Sequence, residues 1–169
     1  SDSHLKSDHE EALNKCYQAE DNAKSNGFVE ELVLTKLAIA DIFFQIGNNT
    51  IALDYQLDAY HLCDSMNYVH LHSIILNSQA RSYIQLKDHD KAELCLKNSL
   101  KNAKINDLEE IIAETNMMFG DLYSDVFNHE FAFEYYQKAH QYFFDLLMDI
   151  DVANALFMMG KSHFSLDLI

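Results

Sequence analysis

Nine histidines, three cysteines and 27 acidic residues give this 169-residue chain material for acid–base, nucleophilic or metal chemistry. Each kind of chemistry needs its residues at a set spacing. A helical zinc site uses H-E-x-x-H, two imidazoles four residues apart on one face. His9-Glu10 and His129-Glu130 open that pattern, but Leu13 and Phe133 stand where the second imidazole is needed. His9, His89 and His129 also recur at one sequence interval, which a turn explains better than a ligand set. His70 and His72 would point about 200° apart on a helix and cannot grip one ion. Cys16, Cys63 and Cys95 show no C-x-x-C spacing and read as reduced thiols used as small core residues. Gly27, Gly47, Gly120 and Gly160 are too dispersed for a phosphate loop, and no G-x-S-x-G nucleophile motif occurs. Asn48-Asn49-Thr50 matches a glycosylation sequon but reads as an interhelix turn. No catalytic residue, cofactor or metal ligand is expected, so the chain is not read as an enzyme.

Composition then limits the partners. Twelve Lys+Arg against 27 Asp+Glu leave a formal charge of -15, which repels nucleic acid and anionic membranes alike. Hydrophobic residues at 49% can fill the core of one domain. Zero proline and four glycines argue against a turn-rich β sandwich or a Pro-rich tail. No apolar run approaches the ~20 residues that span a bilayer, and no basic-then-apolar leader is present. A cytoplasmic setting is expected, with the periplasm left open.

The positioning elements come from an internal repeat of 40 residues. Ala12, Ala52, Ala92 and Ala132 fall in register, and seven residues on come Ala19, Ala59, Ser99 and Ala139. A third column holds Ala40, Ala80, Gly120 and Gly160, and a fourth Phe43, Tyr83, Tyr123 and His163. Small residues recur where helices approach closely, and aromatic residues fill the space beside them. Helical spacing of the apolar positions predicts eight helices, near 8–25, 29–46, 49–66, 69–86, 89–104, 108–126, 129–147 and 150–166. Polar breaks at Ser7-Asp8-His9, Gly47-Asn48-Asn49, Lys87-Asp88-His89 and Phe127-Asn128-His129 supply Asp or Asn to cap the next helix. Acids such as Glu10, Glu11, Glu30, Glu31, Glu109 and Glu110 are expected in first turns, where the helix dipole favours them.

These columns resemble the tetratricopeptide repeat (TPR) family over the whole chain. Glu130 to Ala139, Glu-Phe-Ala-Phe-Glu-Tyr-Tyr-Gln-Lys-Ala, looks like a near-consensus second helix of a repeat, helix B. The tryptophan often found early in helix A is replaced by Lys36, Leu76, Asn116 and Leu156, and the usual proline after helix B is absent. Forty residues also exceed the common 34, a long variant similar to that of bacterial signalling proteins and quorum-sensing receptors. The resemblance implies an all-α, right-handed superhelical solenoid of antiparallel helix pairs in a single domain over 1–169. In repeat phase the first helix is a B and the last an A. A fragment of a longer array, or ends covered by another chain, is therefore expected.

Carrying over the family's groove-facing positions puts Leu37, Asn77, Met117 and Phe157 in one row of the concave face. Asp41, Arg81, Asp121 and Lys161 form the next, with Glu114, Ser124 and Asp125 nearby. Two readings of Arg81, the sole arginine, stand side by side: it holds a ligand carboxylate together with Asn77, or it neutralises Asp41 or Asp121. Leu34, Ala38, Asp41, Glu114 and Met118 break the carboxylate-clamp pattern of chaperone-binding relatives. The acidic lining favours a basic or amphipathic protein or peptide. The leading expectation is a non-catalytic regulatory or sensory module of a bacterial signalling protein, such as a diguanylate cyclase, histidine kinase or transcription regulator, with its own output domain as one possible partner. The alternatives are a receptor for a short signalling peptide and a structural scaffold that dimerises through exposed terminal helices.

Overall fold

The computed structural model describes residues 2–64, 68–145 and 149–167, and all eight elements in it are helices. They are α1 (Asp2–Asn26), α2 (Val29–Gln45), α3 (Asn49–Asp64), α4 (Val69–Gln85), α5 (His89–Ile105), α6 (Glu109–Asp125), α7 (His129–Asp145) and α8 (Asp149–Asp167). Each helix packs on the next in chain order, and α2, α4 and α6 also touch in sequence along one side. This is an all-α solenoid of antiparallel helix pairs: α2 with α3, α4 with α5 and α6 with α7. The breaks expected at 65–67 and 146–148 lie outside the described residues.

Local chemistry sets the helix boundaries. After α2, α4 and α6 the chain turns through a left-handed residue, Gly47, Lys87 or Phe127, at φ 82°, 61° and 60°. The amide of the residue after it then reaches back: Asn48 N to Phe43 O, Asp88 N to Tyr83 O, and Asn128 N to Tyr123 O, each within 3.0 Å. Such a turn satisfies carbonyls the helix end would strand. Asn48, Asp88 and Asn128 then cap the following helices, accepting from the amides of Ile51, Lys91 and Phe131 at 3.4 Å. A Cβ at positive φ costs about 1 kcal/mol, so Lys87 and Phe127 stay in this conformation because the turn's hydrogen bonds outweigh that strain.

The first break departs from expectation. Ser7, Asp8 and His9 interrupt nothing, because α1 runs unbroken from Asp2. None of the three is in a left-handed conformation among the described residues, so the polar triplet stays helical. Glu10 and Glu11 consequently lie mid-helix, and Glu11 pairs with Lys15 one turn on rather than with the dipole. Glu30, Glu31, Glu109 and Glu110 do occupy first turns.

Burial follows the repeat. Ala52, Ala59, Ala92, Ser99, Ala132 and Ala139 are fully enclosed, as are Ala40 and Ala80. Opposite Gly120 the Tyr136 ring lies so close that a Cβ there would stand 2.3 Å from it. One buried cation departs from the apolar plan. Lys36, one turn before Ala40, reaches Glu20 on α1 at 3.1 Å and Asp58 on α3 at 3.0 Å. Burial pulls its ammonium down, but the two carboxylates outweigh that and hold it above the ordinary lysine range.

Candidate functional site: the concave groove

The A helices α2, α4, α6 and α8 present four turns of side chains to a shared groove of about 750 Å³. Ten of the eleven positions expected there line it: Leu37, Asp41, Asn77, Arg81, Glu114, Met117, Asp121, Ser124, Asp125 and Lys161. Phe157 does not. It stands on the far flank of α8 with 71% of its surface exposed, and Met158, one residue on, takes its place in the lining. In α2 and α4 that column, Leu37 and Asn77, is packed in by a following helix B. No described helix follows α8 to do the same.

Asn77 lines the groove wall yet bonds inward. Ser99 Oγ donates to Ser73 O at 3.1 Å and lies 3.3 Å from Thr115 Oγ1, which bonds the Asn77 side-chain oxygen at 3.1 Å. Thr115 Oγ1 is also 2.6 Å from Ile111 O. A single hydroxyl proton cannot serve both acceptors, so the Asn77 amide is better oriented with its NH2 donating to Thr115. Either orientation leaves one end of the buried amide without a partner. Asn77 thus ties α4 to α6, with Ser99 of α5 joining through Thr115, and does not reach into the groove as a peptide-binding ladder.

Arg81 is likewise engaged. Its guanidinium pairs with Asp41 on the neighbouring A helix and lies over the Phe44 ring, 4.4 Å from the centroid. Of the two readings of Arg81, the structure contains the ion pair with Asp41. Asp125 is held in the same manner, by Lys87 at 2.5 Å and His89 at 2.6 Å, which keep its carboxyl below the usual range.

The remaining carboxylates behave differently. Glu114 and Asp121 are exposed side chains of the groove lining. Burial raises the carboxyl of Glu114, Glu110 and Asp151 push it further, and Arg81 pulls it partly back. Burial also raises Asp121, against a hydrogen bond from the Tyr136 hydroxyl at 2.7 Å and the nearby Lys161. Among the described residues no cation pairs with Glu114. Around these charges lie Met117, Met118, Met158 and the exposed Phe127. Composition had not singled out Phe127 or Asp151; their repeat positions, a turn and the first coil of a helix A, were the only signal.

No three His, Cys, Asp or Glu side chains converge on a metal-sized site among the described residues. Burial pushes Cys95 up to about 11 and raises Cys63, so neither is a ready thiolate. Among the described residues no helix is long and apolar enough to cross a membrane.

No family model matches the chain, and no curated protein does. Among solved structures, the crystal structure of BtubC (BKLC) from P. vanneervenii is similar over 95% of this chain, with a TM-score of 0.78 and 22% identity. The match spans 66% of that protein's length. A likeness at this identity speaks for the helical-repeat architecture alone.

Proposed function

We propose that the chain is a non-catalytic interaction module that takes a basic or amphipathic segment of a protein in its concave groove. The observation that carries this reading is the pair Glu114 and Asp121. Both side chains are exposed in the groove lining, where a cation can reach them, and the neighbouring groove walls raise both carboxyls, which a cation would offset. Methionines on either side and Phe127 at the edge supply adaptable apolar contact for the rest of such a segment. The other groove charges are largely satisfied within the chain, by Arg81 on Asp41 and Lys87 on Asp125.

The 40-residue register and the small-residue columns support placing the chain with the long-repeat TPR proteins, and hence as a regulatory or sensory segment of a cytoplasmic bacterial signalling protein. The occupant would then be a partner protein or the chain's own output domain. The peptide-receptor alternative draws less support, because Asn77 is turned into the core.

The test is calorimetric titration with a lysine–leucine amphipathic peptide and its glutamate–leucine analogue. Binding of the lysine peptide alone is expected, weakened roughly 10-fold, about 1.4 kcal/mol, in Glu114→Gln/Asp121→Asn. Equal binding of both peptides, or a double variant that binds as the parent does, would refute the reading.

A further inference from the structure

One helix of the groove carries its features in a fixed order. Glu114, Met117, Met118 and Asp121 of α6 all line it. A rise of about 1.5 Å and a rotation of about 100° per residue put Asp121 about 10 Å along the helix from Glu114 and about 20° around its axis. The two acids therefore stand in one row, with the two methionines between them. The row continues past the helix end. Phe127 lies in the left-handed turn at φ 60°, where Gly47 stands two repeats earlier, and 81% of its surface is exposed. A side chain is strained in that conformation where glycine is not, and this ring buries little of its own surface in return. From one end to the other the strip reads acid, apolar pair, acid, aromatic.

An extended segment and a helix meet such a strip differently. In a strand the side chains of one face recur about every 6–7 Å, so none falls a further 10 Å along from the first. In a helix, residues i and i+7 stand about 10 Å apart on one face, with i+3 and i+4 between them. Two helices laid side by side share one rise, and the match holds along the whole strip.

Resting on the reading of Glu114 and Asp121 as acids that take a basic segment, we propose that the groove's occupant is a helix laid alongside α6, with two basic residues seven positions apart and apolar residues midway between them. Its bases meet Glu114 and Asp121, its apolar pair packs on Met117 and Met118, and an apolar residue beyond the second base covers Phe127. The two bases are held unequally. Glu114 has Glu110 and Asp151 nearby and Arg81 alone against them. Asp121 already accepts from the Tyr136 hydroxyl at 2.7 Å and has Lys161 nearby, so the base that meets Glu114 contributes more.

Calorimetric titration of the 169-residue chain with three helical peptides tests this. They share one composition and differ only in whether their two lysines stand four, seven or eleven positions apart. Each spacing keeps both lysines on one face, at about 6, 10 and 16 Å, so distance alone changes. The seven-residue spacing is expected to bind about tenfold tighter than either of the others. Glu114→Gln and Asp121→Asn should each erase that preference, the first with the larger loss of affinity. A proline midway between the lysines breaks the peptide helix and should weaken binding about tenfold. Phe127→Gly should lower affinity severalfold and leave the melting midpoint unchanged or higher, because glycine suits this turn; a purely structural ring would leave affinity alone. Equal affinity for the three spacings, a proline peptide that binds as tightly, or Phe127→Gly binding as the parent does would each overturn the helical register. If the acid variants still weakened every peptide in that case, the basic-segment reading would stand without it. A chain that binds none of the peptides would overturn both.

Discussion

Gly120 and Gly160 occupy one repeat position, and substituting alanine at each should move stability in opposite directions. In a helix interior Gly→Ala by itself stabilises by about 1 kcal/mol, through the restricted unfolded chain. At Gly160 the new methyl meets nothing, so the full gain is expected. At Gly120 the methyl would overlap the ring of Tyr136, a wholly buried residue that must shift to admit it. Relieving that overlap moves the ring by about 1 Å, and overpacking of this kind costs about 1–3 kcal/mol. The displaced hydroxyl also strains its 2.7 Å bond to Asp121, and hydrogen bonds to charged groups contribute about 1.5–3 kcal/mol. Set against the 1 kcal/mol helical gain, a net loss of about 2 kcal/mol is expected for Gly120→Ala. For a domain of this size that is a melting midpoint roughly 4–8 °C lower, against roughly 2–4 °C higher for Gly160→Ala. Thermal melts read by circular dichroism give both values. Two shifts of the same sign, or a Gly120→Ala chain as stable as its parent, would refute the close-approach argument.

Three further outcomes follow from the charges. Lys36→Met removes the cation between Glu20 and Asp58 and leaves Glu20 with Lys24 alone; a loss of about 2 kcal/mol is expected in urea titration. Arg81→Ala breaks a pair that is about half exposed, so the stability change should stay below ~1 kcal/mol. The same change adds one uncompensated negative charge to the groove and should tighten the lysine peptide about threefold; weaker binding in calorimetry would mean that Arg81 contacts the ligand. The pH dependence has a definite sign. Glu114 and Asp121 have carboxyls raised above their unfolded values, so their ionisation detracts from stability and protonation restores it as pH falls through the raised range. A cationic peptide needs the ionised forms. Its affinity should therefore fall as pH is lowered through the raised carboxyl range, and proton release on binding should appear as a buffer-dependent enthalpy.

The repeat made the fold legible because its columns record distances. A small residue every 40 positions states how closely two helices approach, and the capping residues Asn48, Asp88 and Asn128 mark where each next helix starts. The triplet Ser7-Asp8-His9 misled because a break is made jointly: a cap ends nothing unless a left-handed residue turns the chain. The groove was legible for the same reason as the fold, down to Phe157. That residue was misplaced because its column is held at the groove wall by the neighbouring helix B, a constraint from another helix. Arg81 could be narrowed to an ion pair or a ligand contact but not assigned to Asp41. Asp41 and Asp121 lie one repeat away on either side, and the choice depends on side-chain reach.

The chemistry of the columns separates what holds the solenoid from what it offers. At positions 40, 80, 120 and 160 only alanine and glycine occur, and at 12, 52, 92 and 132 only alanine. One groove column instead reads Asp41, Arg81, Asp121, Lys161, alternating in sign along successive A helices. Alternation lets neighbours pair across the groove floor, as Asp41 and Arg81 do, and Lys161 lies close enough to draw Asp121 down. Much of the groove's charge is thereby turned to spacing the A helices. Glu114 stands outside that column, two turns of helix before Asp121, with Glu110, Asp151 and the opposing Arg81 as its near charges. A cation brought to Glu114 gains attraction without breaking the alternating series. One that draws Asp121 away from Lys161 competes with the attraction between those two charges across the groove, so a ligand spanning both acids would be felt by the A helices as well as by the groove.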